Sequence, residues 1–234
     1  IIKSQSKRDY SLIDNENLFL KKLIKKNQIK SKVLQVDYLK YENYFKQIDN
    51  IYFNNSSNKK NLSFVLTMAK ILKLNLKNVI KTANRFKGLN YRQQIIFKSK
   101  KLIIINDSKS TSFSATLPLL EKYKNIYWIL GGLAKKGDKL KIKKKNLSNI
   151  KAYVYGRDRK LLINSLPHKI LCKSCLTLKG IIKYLMNNIQ NDNTKKLILF
   201  SPAAASFDQF KNFEERGKSF NKSINHIIKK FKYE

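Results

Sequence analysis

Residues 197–220 read LILFSPAAASFDQFKNFEERGKSF, and their pattern decides the fold of the C-terminal part of the chain. Leu197 to Phe200 form a short apolar run that reads as a buried strand. A Pro, three alanines and Ser206 follow, and the period then changes from two to three or four. Ser206 with Gln209 fits a capping box, in which the Ser oxygen accepts from an early helix N–H and the Gln reaches back. Phe207, Phe210 and Phe213 recur on one helical face, so the pattern predicts a helix over 207–231. A small-residue loop that leads from a strand end into a helix presents free backbone N–H groups and the positive end of the helix dipole. That is a natural anion site. On the physics of the residues alone, the plain reading is a strand, a loop and a helix with a phenylalanine core stripe.

Working outward, short apolar strands are predicted at 95–97, 102–105, 126–130, 152–155 and 197–200. Helices are predicted at 114–123, 157–165, 174–188 and 207–231. Such alternation argues for an α/β fold with a parallel, Rossmann-like sheet, in which ligands sit at the carboxyl ends of the strands. The earlier part reads differently. It has strands at 10–14 and 33–36, helices at 16–26, 62–72 and 76–86, and an Asn/Ser/Lys loop at 54–60. Residues 88–91 are the best linker, so two domains are expected, 1–90 and 91–234.

The chain has 234 residues, 42% of them hydrophobic, enough for one large or two modest cores. It opens on Ile and not Met, which reads as a fragment or a processed chain. Ile1–Ile2 is too short, and too soon followed by Lys3, to be a signal peptide. No apolar run approaches the length of a membrane span, so no membrane insertion is expected. The formal net charge of +35 points by itself to nucleic acid or an anionic membrane surface. Only six of the fifty basic residues are Arg, however, and the Lys are spread along the chain among Asn and Ile. Base reading and phosphate clamping favour the bidentate fork of Arg. Most of the charge therefore reads as a solvated surface whose affinity for polyanions falls steeply with salt. A basic nucleic-acid-binding α/β protein stands as the alternative function. It lacks a helix-turn-helix, a zinc finger or an aromatic RNA-binding motif to accompany the charge. Cys172 and Cys175 form a Cys-x-x-Cys, but His168 and His226 have no ligand spacing to it. Two thiols in a chain of this length fit a reducing compartment, with neither disulfide framework nor metal.

Three stretches at predicted strand ends carry residues with chemistry. Asn106, Asp107, Ser108, Lys109, Ser110 and Thr111 directly follow the strand at 102–105. Asp107 suits a ribose hydroxyl or a hydrated cation, Lys109 a phosphate or carboxylate, and Thr111 a helix cap or an anion. An Asx-turn running into a helix cap accounts for Asn106, Asp107 and Ser110 without any function. It does not account for Lys109, a cation near a helix's positive end. Gly131 and Gly132 let backbone approach a ligand closely, and Lys135 and Lys136 follow within a few residues. Arg157–Asp158 reads as strand-end structure.

These segments together resemble the Mur ligases, in the version typical of those that add D-glutamate. The family's SPACASFDQFKNFEERG is matched from Ser201 to Gly217 with Ala204 in place of Cys. Its NDSKATN…ATLAAL is matched from Asn106 through Leu117, its LGG…KG from Leu130 through Gly137, and its FGRD near Arg157–Asp158. Its GLPHR appears as Gly88-Leu89-Asn90-Tyr91-Arg92, and its HNxxN as Ser57-Asn58-Lys59-Lys60-Asn61. A helix-capping role is the plain alternative for Asn58.

The resemblance implies an ATP-dependent amide ligase of the cytoplasm that joins D-glutamate to UDP-N-acetylmuramoyl-L-alanine in building the cell wall. It implies that Lys135, with Lys136 the competing choice, and Thr111 hold one carboxylate of D-glutamate. Ser206 and the backbone near Phe213 would hold the other. Asn61, Arg92, Asp107 and Lys109 would contact the nucleotide, and Lys109 and Lys135 carry the catalytic assignment. The family's glycine-rich phosphate loop, its UDP-binding domain and its Mg²⁺ ligands have no counterpart in this sequence. The chain thus reads as the tail of a P-loop-type central domain followed by a Rossmann-like domain. A monomer is expected, with closure about 88–92 completing the site and with no activity from the fragment alone.

Overall fold

The computed structural model describes residues 4–27, 29–54, 56–189 and 194–232. They form two compact units, Ile1–Gly88 and Leu89–Glu234.

In the first unit, strand β1 (Tyr10–Asp14) is joined through helix α1 (Leu18–Lys26) to strand β2 (Lys32–Val36). The two strands pair in parallel, with Tyr10 opposite Lys32 and Asp14 opposite Val36. Asn17 starts α1 by accepting from Leu20 N–H through its side chain. Helices α2 (Glu42–Phe45), α3 (Ser56–Ile71) and α4 (Leu76–Arg85) follow. Val36, Tyr41, Ile48, Leu62, Leu66, Ile80 and Ala83 make the core of this unit. α3 begins six residues earlier than the hydrophobic pattern predicts, because its first turns are polar and only one side of the helix is covered.

The second unit is a six-stranded sheet between two helical layers. Its elements are β3 (Gln94–Lys98), β4 (Leu102–Asn106), α5 (Phe113–Lys122), β5 (Ile126–Gly131), β6 (Ile150–Tyr155), α6 (Arg159–Asn164), β7 (Leu171–Cys175), α7 (Leu178–Asn188), β8 (Lys196–Phe200) and α8 (Phe213–Lys232). The strand order is β3-β4-β8-β5-β6-β7. All neighbours are parallel except β3, which pairs antiparallel with β4. Every residue of β4, β5 and β8 is buried, as expected of parallel strands covered on both faces. α5 and α6 close one face over Ile103, Ile105, Trp128 and Leu199. α7 and α8 close the other over Ile104, Ile129, Ile198 and Phe200.

The expected mixed α/β architecture is thus present, with three local differences. β3 returns as an antiparallel edge, since only a tight turn at 99–101 separates it from β4 and a parallel crossover needs about a dozen residues. β7 falls where the sequence pattern predicts the start of a helix; Thr177 caps α7 instead, accepting from Gly180 N–H at 3.1 Å. Because Cys172 and Cys175 lie three apart on this strand, their side chains leave on opposite faces. Cys172 packs on the α5–α6 side and Cys175 on the α7–α8 side. The spacing that suggests a pair therefore separates the thiols.

The third difference concerns the stretch from Ser201. No helix starts at Phe207: a single turn is made, with Gln209 and Phe210 N–H donating to the Ser206 carbonyl. The expected capping box is absent, because the Gln209 side chain instead bridges Leu176 and Leu178, and Phe207 is 70% exposed. α8 starts at Phe213 with Asn212 as its cap, accepting from Glu215 N–H at 2.8 Å. Glu215 reaches back to Lys211 N–H at 2.8 Å.

Candidate functional site

β4, β8 and β5 are neighbours, but their exits diverge. The chain leaves β4 toward α5 on one face and leaves β8 toward α8 on the other. The crevice at the carboxyl ends of these strands is therefore a topological switch point, the usual ligand position in open α/β sheets. Asp107, Lys109 and Thr111 follow β4, Lys135 follows β5, and Ser206 and Phe213 follow β8. All six stand on this one edge. Arg92 joins them, because segment 91–94 is lashed to the β4 loop. Lys109 N–H donates to the Tyr91 carbonyl at 3.0 Å, and Gln93 N–H donates to Asp107 Oδ1 at 3.0 Å. Asn61 lies in the other unit, exposed on α3. Nearby Asn58 lies within the first turn of α3, buried, and donates to the Tyr52 carbonyl at 2.6 Å.

The loops are held by small residues at close range. Gly131 N–H donates to the Pro202 carbonyl, and Leu133 and Ala205 exchange both backbone bonds at 2.9 and 3.0 Å. The run after β8 thus continues alongside the extension of β5 before it turns. Gly132 has φ +126°, and a Cβ built there would lie 2.1 Å from the Ala205 carbonyl oxygen. Asp158 supports the same loop by accepting from Ala134 N–H at 3.0 Å, while Arg157 donates to its other oxygen at 3.0 Å. Asp138 accepts from Phe113 N–H at 2.9 Å and so ties the Lys135 turn to the start of α5.

Asp107 is 5% exposed and has both oxygens engaged. Oδ1 accepts from Gln93 N–H, and Oδ2 accepts from Ser201 Oγ at 2.9 Å. Burial pushes its pKa up to about 6, against the opposing hydrogen bonds from Ser201 and Gln93 and the charge of Arg92. Behind it a buried hydroxyl chain runs from Ser201 to Thr116 (2.8 Å) to Ser110 (2.7 Å). Lys109 is half-buried, with its ammonium 4.1 Å from the centre of the Phe213 ring. Thr111 is exposed; the α5 cap is Ser112, not Thr111. Lys135 and Lys136 are both exposed on a turn, with Asp138 N–H donating to the Lys135 carbonyl at 3.1 Å. Ser206 is 3% exposed. Phe213 is half-buried, and its carbonyl accepts from Ser108 Oγ at 2.8 Å.

The residue that organises this edge is one the motif reading passes over. Arg216 on α8 is fully buried. It donates to the Ser108 carbonyl at 2.6 Å, Ser108 Oγ at 3.1 Å, the Ala204 carbonyl at 2.9 Å and the Gly131 carbonyl at 3.4 Å. One guanidinium thus joins the loops after β4, β5 and β8. Burial holds its pKa below the ordinary arginine value. The sequence carried no clear signal for it: with the helix expected from Phe207, Arg216 falls mid-helix, and only the observed start at Phe213 puts a cation in the first turn, against the dipole. Asn106 adds a further tie, donating to the Gly217 carbonyl at 2.9 Å and to Asn221 Oδ1 at 2.7 Å. Among the described residues, no group of three or more His, Cys, Asp and Glu is placed to hold a metal ion. No described helix is long and apolar enough to cross a membrane.

No protein-family model matches the chain. Individual proteins do. It is 32% identical over 182 residues to the UDP-N-acetylmuramoylalanine--D-glutamate ligase of Wolbachia sp. subsp. Brugia malayi, covering 78% of this chain and 36% of that protein. The ligase of the same name from Buchnera aphidicola subsp. Baizongia pistaciae is 36% identical over 173 residues, covering 72% and 38%. Among solved structures, a murein peptide ligase from Psychrobacter arcticus superposes with a TM-score of 0.60 at 10% identity, covering 95% of this chain and 52% of that one. The UDP-N-acetylmuramate-alanine ligase of Thermotoga maritima gives 0.51 at 17% identity, covering 73% and 38%. At such identity these structures speak to the fold alone. The chain spans less than half the length of the two curated relatives just named. These relatives are ligases, and the nucleic-acid reading of the charge gains no support from them. From its sequence relatives, which are named as D-glutamate ligases, and with a fold in accord with them, the chain belongs to the Mur ligase family.

Proposed function

We propose that the chain is the C-terminal part of a cytoplasmic enzyme that adds D-glutamate to UDP-N-acetylmuramoyl-L-alanine with ATP. Residues 1–90 would be the tail of its central ATP-binding domain and 91–234 its Rossmann-like domain. In this reaction the substrate carboxylate takes the terminal phosphoryl group of ATP, releasing ADP. The amine of D-glutamate then attacks the acyl carbon, and phosphate leaves as the amide forms. The protein's share of such chemistry is to align two substrates and to offset developing negative charge.

The observation that carries this reading is the convergence of three loops, tied by one buried arginine, on a rim that bears Lys109, Thr111 and Lys135. Lys135 and Thr111, both exposed, would bind one carboxylate of D-glutamate. Ser206 and the N–H groups that open α8 at Phe213 would bind the other. Lys109 would leave the Phe213 ring for the transferring phosphate. Arg92 and Asp107 would face the ribose and phosphate side, and Asn61 the adenine. Mg²⁺ would accompany ATP. The described donor set does not fit it, so its ligands would come from outside the described residues.

Calorimetry of the chain with D- and L-glutamate tests the reading. Binding selective for the D isomer, lost in Ser206→Ala and Lys135→Ala, is expected. Should the chain bind neither isomer, and release no phosphate when combined with the N-terminal part of a relative, the reading fails.

A further inference from the structure

Helix α1 carries the sequence LFLKKLIKK, with no acidic residue. None of its residues is buried. Leu20, Leu23 and Ile24 are half-buried, but Leu18 and Phe19 stand 70% and 71% exposed. Lys22, Lys25 and Lys26 are exposed beside them. Leu18, Lys22 and Lys25 recur at helical spacing, as do Phe19, Lys22 and Lys26, so the outward side joins two large apolar groups to three cations. Residues 1–36 hold nine basic residues against three acids. Two of those acids, Asp14 and Glu16, are engaged by Lys60 of α3. The third, Asp9, is hydrogen-bonded to Ser6.

We infer that α1 is a docking surface for an anionic lipid bilayer. Leu18 and Phe19 would seat among the headgroups, and Lys22, Lys25 and Lys26 would pair with anionic lipids. Charge complementarity selects this occupant. Bulky apolar side chains that can enter the headgroup layer stand on the same outward side as the lysines, and each lysine near an anionic surface strengthens attachment roughly fivefold. A protein-binding face built around a hydrophobic centre is depleted of lysine instead. The contact lies on the membrane and does not span it. It is independent of the catalytic reading above.

The test is co-sedimentation of the chain with vesicles of phosphatidylcholine, with and without one-third phosphatidylglycerol, at moderate salt. Binding to the anionic vesicles only is expected. Leu18→Ser with Phe19→Ser, and separately Lys22→Glu with Lys25→Glu, should each weaken it more than tenfold. Lys179→Glu with Lys183→Glu on α7, an equal charge change in the other unit, should weaken it less than threefold. Phe19→Trp adds a direct readout, since the chain's one tryptophan, Trp128, is fully buried. Its emission should shift to the blue on anionic vesicles. Equal losses in the two charge-reversed pairs would show attraction to the whole basic chain and overturn the proposal. So would an unshifted Phe19→Trp emission, or a shift produced by the N-terminal part of the Wolbachia ligase and not by vesicles. Circular dichroism confirms that each variant is folded.

Discussion

Replacing Arg216 by Met tests whether one guanidinium holds the edge of the sheet together. Met keeps much of the side-chain volume and removes the donors. Two bonds to carbonyls are short, to Ser108 at 2.6 Å and Ala204 at 2.9 Å, and two are longer. A hydrogen bond from a charged donor contributes about 1.5–3 kcal/mol net, and a buried carbonyl left unpaired costs about 1–3 kcal/mol. Removing the cation also removes the cost of burying it, so the balance is smaller than the sum, about 3–4 kcal/mol. For a chain of this size that lowers the melting temperature by roughly 6–15 °C. Arg216→Lys keeps the charge but reaches fewer of the carbonyls, which lie in different directions around a planar fork, and should recover less than half of the loss. Urea unfolding followed by circular dichroism measures both variants. If Arg216→Met unfolds within about 1 kcal/mol of the native chain, or Arg216→Lys is indistinguishable from it, the guanidinium is not what joins the loops.

Three further outcomes are expected. Asp107 has a folded pKa of about 6 against an ordinary 3.8, so between those values the folded state holds more protons than the unfolded one. Its contribution to stability is full below pH 3.8 and is lost as pH rises through 6, by roughly 3 kcal/mol in all. The difference in urea midpoint between the native chain and Asp107→Asn should change over that window and stay flat above pH 7. Gly132→Ala places a methyl 2.1 Å from the Ala205 carbonyl at a φ of +126° and should destabilise by more than about 2 kcal/mol. Calorimetric unfolding reads that directly. Lys135→Ala removes an exposed side chain and should change stability by less than about 0.5 kcal/mol while weakening D-glutamate binding at least tenfold; a change in unfolding without a change in binding would contradict the assignment.

The positions of β4, β5 and β8 were legible because each is a short apolar run bounded by polar turns, and a fully buried strand leaves that mark whatever surrounds it. Asp107, Lys109, Thr111, Lys135 and Ser206 were legible as motif members that follow strands, Asn61 and Arg92 only as motif members. β7 was not legible: LCKSC is an edge strand with three of its five residues exposed, so its pattern carries little hydrophobic signal. The start of α8 was misplaced for a different reason. Phe207, Phe210 and Phe213 share helical spacing, but nothing in that spacing reports that Gln209 finds its partners 31 and 33 residues earlier.

The sequence by itself determined the class of fold, the family and which residues stand at strand ends, because burial period and motif identity are local properties. Only the tertiary structure decided what those residues touch there. Asp107 and Lys109 follow one another closely in the chain, yet the carboxylate accepts from Gln93 and Ser201 while the lysine rests on Phe213. Arg216 reads as one more cation of fifty until three separate loops are seen to close around it. Hydrogen bonds and desolvation depend on atoms brought from distant parts of the chain, and no local pattern encodes that distance.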